Sequence, residues 1–289
     1  MMLSEIQYLV RSRYVFPDVA AEIAVALDAV VLTGTDEAAD AVTLSAALQS
    51  VNGDRHLRVQ HCPGGVPSQV DEESVRAWFA QVVRDEGPGI TEVRRLGGRA
   101  GLVALGAIIP PPEHVGPAAA AAFTLLAGLE RLVLDLRGCL GGVPESVALL
   151  VSHLAGDEPV HLQDLVARDG TVVRSCTTPS VTPKVPADVA VDVLTSARTF
   201  SGGEELAYDL QALGRARVVG EITGGGAHPR EAFDLTAHLQ LHVPTAVPVN
   251  AVTGTNWEGV GVLPDLACPA SRALDVALAT DRRPGPALR

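Results

Sequence analysis

The stretch Val193-Leu194-Thr195-Ser196-Ala197-Arg198-Thr199-Phe200-Ser201-Gly202-Gly203-Glu204-Glu205 decides the fold. The Val-rich, mostly apolar run from Val189 to Leu194 reads as a buried strand, and Glu204 to Leu213 reads as a helix. Ser201 therefore falls where a strand hands over to a helix. A hydroxyl at a helix N-terminus meets backbone N–H groups that favour developing negative charge. The same residue, with Glu204 three positions on, also satisfies a capping box, which requires no chemistry. Locally, both readings stand.

Working outward, strands are expected at Val93–Leu96, Gly101–Ala107, Leu132–Leu136, Val189–Leu194 and Arg217–Glu221. Helices fall between several of them, at Pro117–Leu129, Pro144–Leu154 and Glu204–Leu213. This alternation argues an α/β domain with a largely parallel central sheet. Segments Phe233–Thr236, Leu239–His242 and Ala246–Val249 are expected to add antiparallel strands. Upstream, residues 3 to about 50 carry apolar residues at helical spacing (Ala20, Ile23, Ala24, Leu27; then Ala41, Leu44, Leu48). A turn at Asn52-Gly53-Asp54 leads into an alternating strand near 56–60. Another helix is read from Ser68 to Arg84. The expected organisation is a small helical domain over 1–88 with that short β segment, then an α/β core over 89–289. A frayed tail is expected from Asp281.

The bulk composition excludes several classes. Of the 289 residues 47% are hydrophobic and only 3% aromatic, so a large core must be built mainly from Val, Leu and Ala. A formal net charge of -12 and the lack of a basic stripe exclude nucleic acid as the expected partner. No apolar run approaches the ~20 residues of a membrane span. The N-terminus shows no basic start, apolar core and cleavage site, so a cytoplasmic protein is expected, with a mature secreted chain left open. Cys62, Cys139, Cys176 and Cys268 are widely spaced and suggest no disulfide framework. No His/Asp/Glu cluster has ligand spacing, so neither metal nor cofactor is expected. Lys184 is the only lysine.

Four constellations could carry chemistry. In Gly53-Asp54-Arg55-His56-Leu57-Arg58, a histidine just past a tight turn suits a general base, although a hairpin surface histidine fits as well. In Asp135-Leu136-Arg137-Gly138-Cys139-Leu140-Gly141-Gly142, a strand runs into a glycine turn whose N–H groups could form an oxyanion hole. It is no phosphate loop, because the Gly-Lys-Ser/Thr ending is missing. Val219-Gly220-Glu221-Ile222-Thr223-Gly224-Gly225-Gly226-Ala227-His228-Pro229 again exposes backbone donors, and His228 could touch a ligand, although a plain loop histidine fits better on local grounds. In Thr253-Gly254-Thr255-Asn256-Trp257-Glu258-Gly259, a carboxylate beside a tryptophan could orient a histidine or sit in a solvated turn.

Taken together, these four motifs resemble the tail-specific protease family of serine peptidases. The nearest branch contains interphotoreceptor retinoid-binding protein and the tricorn protease core. The likeness extends upstream through Tyr14-Val15-Phe16-Pro17-Asp18 and Leu48 to Val59, covers nearly the whole chain and keeps the motif order. The resemblance implies a crotonase/ClpP-like core of ββα units preceded by a helical domain. It also implies a serine nucleophile at Ser201. The lysine that many members carry after the Val219-Gly220-Glu221 motif is missing, so the implied arrangement is that of tricorn-like members, with His56 as base and Glu258 behind it. Gly202 with Gly141 or Gly142 would supply the oxyanion donors. Gly225, Gly226, His228, Trp257 and Glu204 are the candidate substrate contacts. Cys139 and Leu140 stand where relatives often carry a polar residue and a proline, and no PDZ domain is recognisable. The function expected is a serine hydrolase acting on peptides. The alternatives are acyl transfer or hydrolysis in small-molecule metabolism, and a non-catalytic module for an apolar ligand. A peptide or small acyl substrate is the expected partner, and homo-oligomerisation is left open.

Overall fold

The structure is a computed structural model describing residues 2–66, 72–97 and 99–280. The start of the helix read from Ser68 and the tail from Asp281 lie outside the described residues. The elements in chain order begin with α1 (Met2–Arg13), α2 (Pro17–Leu27), α3 (Glu37–Gln49), β1 (Arg58–His61) and α4 (Glu72–Glu86). Next come β2 (Ile90–Leu96), β3 (Ala100–Leu105), β4 (Ile108–Ile109), α5 (Pro112–Leu125), β5 (Arg131–Asp135), β6 (Gly141–Gly142) and α6 (Pro144–Leu154). They are followed by β7 (His161–Ala167), β8 (Val172–Cys176), β9 (Ala190–Thr195), α7 (Gly202–Ala212) and β10 (Ala216–Gly220). The chain closes with β11 (Arg230–Asp234), β12 (Leu239–Pro244), β13 (Ala246–Asn250), β14 (Leu266–Ala267) and α8 (Ala273–Ala279).

The chain forms two compact units. One contains residues 1–75, 165–173 and 226–248; the other contains 76–164, 174–225 and 249–289. Four boundaries fall within α4, β7, β8 and β13 and the fifth in the loop between Gly225 and Gly226; β13, β7 and β8 pair in that order.

In the first unit, β1, β12 and β11 form an antiparallel sheet with β12 in the centre. Alternate residues Val59, Leu241 and Val243 face a core with Ile6, Val10, Ile23, Leu27, Leu44 and Leu48 of α1, α2 and α3. Each such fully buried aliphatic side chain contributes about 1.5–3 kcal/mol. Asp36 caps α3 by accepting the Ala39 N–H at 3.0 Å.

The second unit holds a six-stranded sheet in the order β14-β10-β9-β5-β3-β2. Every neighbouring pair is parallel except β2 with β3. One face packs Leu102, Val133, Leu194 and Val219 against Ala273 and Ala277 of α8. On the other, a Cβ on Gly101 would lie 2.3 Å from Leu129 and 2.9 Å from Leu126, just past α5. The expected strand over 189–194 is confirmed as central, although it contains a charge. Asp192 is fully buried and pairs with Arg217 at 2.8 Å and Arg131 at 3.7 Å on the two flanking strands. Helix α5 starts at Pro112, not at Pro117 as the sequence pattern implied; Pro112 opens the helix and Pro117 lies inside it.

Candidate active site

Ser201 sits between β9 and α7, as the strand–helix alternation predicts. The turn before it is tied to the glycine-rich turn after β5. Ser196 Oγ donates to the Arg137 carbonyl at 2.7 Å, Thr199 Oγ1 to the Leu136 carbonyl at 2.8 Å, and the Phe200 N–H to the Cys139 carbonyl at 3.0 Å. Ser201 itself has φ 50° and ψ −123°, a conformation that costs a non-glycine residue about 1–3 kcal/mol. It is the geometry of a sharp strand-to-helix turn that presents a hydroxyl. The strain is held by Glu204, whose Oε2 accepts the Ser201 N–H at 2.9 Å.

Gly141 and Gly142 form β6, which pairs in parallel with β4. Gly141 has φ +143°, and a Cβ there would sit 3.1 Å from Ser201 Cβ, 3.5 Å from Ser201 Oγ and 3.6 Å from the Gly202 nitrogen. A Cβ on Gly202 would lie 2.9 Å from the Gly142 nitrogen. Glycine is thus required at both places for two backbone segments to approach beside the hydroxyl. Ser201, Gly202, Gly141 and Gly142 therefore come together within the second unit. Cys139 lies beneath this turn, fully buried, and burial pushes its thiol up to about 12. It is a packing residue and not a thiolate. Lys184 donates to the Ser152 carbonyl at 2.7 Å and lines an apolar cleft with Phe123, Leu126 and Leu132.

The remaining predicted residues of this unit cluster around Glu204. Its Oε1 accepts the Thr223 hydroxyl at 2.5 Å and the Gly225 N–H at 2.6 Å, so the buried carboxylate ties the loop 223–225 to the start of α7. Glu204 thereby positions backbone. Gly225, at φ +80°, accepts the Gly259 N–H at 3.0 Å, which brings the Trp257–Gly259 turn beside it. Trp257 is 2% exposed and packs on Tyr208 with ring centroids 5.2 Å apart, which fixes the turn that carries half-buried Glu258. A cleft of about 530 Å³ in the same unit is lined by Asp135, Arg137, Ser196, Arg198, Glu221 and Ser271. None of the predicted site residues lines it.

His56, His228 and Gly226 belong to the first unit. Asp54, 1% exposed, organises the two histidines. Its Oδ1 accepts the His56 backbone N–H at 3.1 Å, and its Oδ2 lies 2.8 Å from His228 Nδ1 and accepts the Tyr14 hydroxyl at 2.9 Å. Burial pushes the Asp54 carboxyl upward, but the His228, Tyr14 and His56 contacts outweigh it and hold it below its ordinary value. The His56 ring is buried, and its pKa falls to about 3. Burial is the largest cause, followed by Arg230; Asp54 opposes them, and Arg58 and His228 lower it further. Its neutral ring has a lone pair available at pH 7. Sequence reasoning quoted Asp54 and Tyr14 within its motifs without giving them a role. The signal was present as Gly53-Asp54, but the partner His228 is 174 residues away.

Residues 109–268 match the sequence profile of peptidase family S41. The chain belongs to peptidase family S41. Solved structures agree at the level of fold. A lipoprotein from Streptococcus agalactiae is similar over 96% of this chain and 94% of its own, with 15% identity and a TM-score of 0.64. The photosystem II D1 C-terminal processing protease matches 64% of this S41 chain with 24% identity and a TM-score of 0.50. The match covers 49% of that protein. The tricorn protease matches 98% of this chain, with 15% identity and a TM-score of 0.55, over 35% of its own length. The S41 chain thus spans about half of one protease and a third of the other.

Proposed function

We propose that this S41 member is a serine hydrolase acting on peptides, with Ser201 as nucleophile, His56 as general base and Glu258 as the group that orients or stabilises His56. The backbone of Ser201 carries the proposal. A strained φ of 50° at the first turn of α7, opposite a glycine that no other residue could replace without crowding Ser201, supports a presented nucleophile over a mere helix cap. Ser201 Oγ attacks the scissile carbonyl carbon while its proton passes to the neutral His56 ring. The oxyanion forms against the N–H of Gly202 and one from Gly141 or Gly142. His56 then returns the proton to the leaving amine, and water repeats the sequence on the acyl-enzyme. Each oxyanion donor typically supplies about 3–4 kcal/mol of transition-state stabilisation.

The test is labelling with a fluorophosphonate, with mass spectrometry of the modified peptide. Phosphonylation at Ser201 that disappears in His56→Ala, with the fold checked by circular dichroism, is the expected result. Modification elsewhere, or none in folded wild-type protein, rejects the assignment.

A further inference from the structure

The six-stranded sheet of the second unit ends differently at its two edges. One edge is β14, only two residues long. The other is β2, seven residues long and the longest strand of that sheet. It contains no proline and no lysine, two common means of blunting an edge, and among the described residues no strand pairs with its outer side. A bulge between Ile90 and Glu92 affects only its start; Glu92 to Leu96 pair regularly with β3. Strand β3 is almost wholly buried, whereas every residue of β2 from Thr91 to Arg95 is exposed. A row of free backbone N–H and C=O groups therefore faces solvent, and such a row accepts another extended strand.

The side chains determine which strand fits. Alternation puts Glu92 and Arg94 on one face, where they form an ion pair at 2.7 Å, and Val93 and Arg95 on the other. Arg95 donates to the Leu125 carbonyl at 3.1 Å and the Ala127 carbonyl at 3.4 Å, so its face is the α5 side. Val93 there is 36% exposed and Leu125 64%. A second copy that meets β2 antiparallel about a twofold axis must centre on a whole residue, because directly paired residues share one hydrogen-bonding state. Centring on Glu92 sets two glutamates face to face, and centring on Arg94 sets two arginines face to face. Centring on Val93 sets Glu92 of each copy opposite Arg94 of the other, with valine against valine between them. Opposite charges across a pair stabilise and like charges destabilise, so of the three only the Val93 register is self-complementary.

We propose that β2 is a homodimer edge: two copies of this chain join β2 to β2, antiparallel and centred on Val93, into one continuous sheet. The axis is perpendicular to that sheet, so α5 of both copies lies on the same face, and the exposed Val93 and Leu125 gather around the axis. Strands of the two copies run in opposite directions. The two Ser201 turns, each following its own β9, therefore lie at opposite ends of the sheet, and neither copy completes the other's site. The inference is independent of the hydrolase reading. A short edge of this kind is a small interface, of the weak and reversible class.

The experiment is sedimentation velocity of the full chain from about 1 to about 500 µM, the range in which a small interface associates. A reversible monomer–dimer equilibrium is expected. Glu92→Arg brings like charges together twice and should weaken the dimer about tenfold, and Glu92→Arg combined with Arg94→Glu should restore it. The register is tested by cysteine trapping in a background of Cys62→Ser, Cys176→Ser and Cys268→Ser, with every variant checked by circular dichroism. Val93→Cys should form a disulfide-linked dimer under mild oxidation, because directly paired Cα atoms lie about 4.5–5.5 Å apart. Arg95→Cys, which faces Thr91 of the other copy, should not. A wild-type chain that stays monomeric throughout, a dimer unchanged by Glu92→Arg, a charge swap that fails to restore association, or equal trapping of both cysteine variants overturns the proposal.

Discussion

Helix α7 carries, besides Ser201 at its start and the buried Glu204, two further buried carboxyls one turn apart. Glu205 Oε1 accepts from Gln163 at 2.7 Å, and Asp209 Oδ1 accepts from Asn250 at 2.9 Å. Asp209 Oδ2 has no hydrogen-bond partner among the described residues. Burial raises Asp209 from 3.8 to about 7, and Glu205 is raised too, by burial first and then by Asp209 and Glu145. Between about pH 4 and pH 7 the folded chain therefore binds more protons here than the unfolded one, so stability falls as pH rises through that window and levels off above it. The distance from 3.8 to about 7, at ~1.36 kcal/mol per pH unit, makes the Asp209 contribution about 4 kcal/mol. Asp209→Asn removes the titration but keeps a carbonyl for Asn250. Its new amide N–H group costs about 1–3 kcal/mol if it finds no acceptor, at every pH alike. Urea unfolding at pH 5 and pH 8.5 separates the two effects. The variant should match or fall below wild type at pH 5 and, because only the part of the titration between pH 5 and about 7 lies inside this window, gain about 3 kcal/mol relative to it by pH 8.5. An unchanged difference between the two pH values would refute the buried-proton reasoning.

Two further outcomes test the site. Gly141→Ala places a methyl 3.1 Å from Ser201 Cβ at a φ of +143°, so the rate of fluorophosphonate labelling should fall about 10²-fold or more while circular dichroism keeps its shape; labelling at the wild-type rate would show that Gly141 does not border the reacting group. Asp54→Ala leaves the buried Tyr14 hydroxyl and His228 without their acceptor and should cost about 3–5 kcal/mol by denaturant titration at pH 7. Because the Asp54 carboxyl is held below its ordinary value, that contribution exists above about pH 4 and is lost as pH falls; a deficit that stays constant down to pH 2 contradicts the assignment.

Much of the second unit was legible in the amino-acid order. Val-rich runs bounded by glycine turns located β3, β5, β9 and β10 to within one or two residues, and α6 was placed at its observed bounds, because buried parallel strands and amphipathic helices leave local patterns. Ser201 at a strand–helix junction and the glycines of the facing turn were legible for the same reason. Strands β7 and β8 were missed, since half-buried strands with polar residues such as Gln163, Asp164 and Arg174 lack a clear alternation. What sequence alone could not decide was conformation and long-range company. The positive φ of Ser201 follows a turn whose Ser196 and Thr199 hydroxyls are tied to the glycine-rich turn after β5, far off in sequence. Glu204 looked available to a substrate until its burial against Thr223 and Gly225 was seen. Asp54 meets His228, and Arg58 meets His242 and Arg230, only because β11 and β12 fold back beside β1 nearly two hundred residues after it. Local propensity determines which segments are strands and helices; which charges share a sheet face depends on strand pairing, and only the tertiary structure decides that.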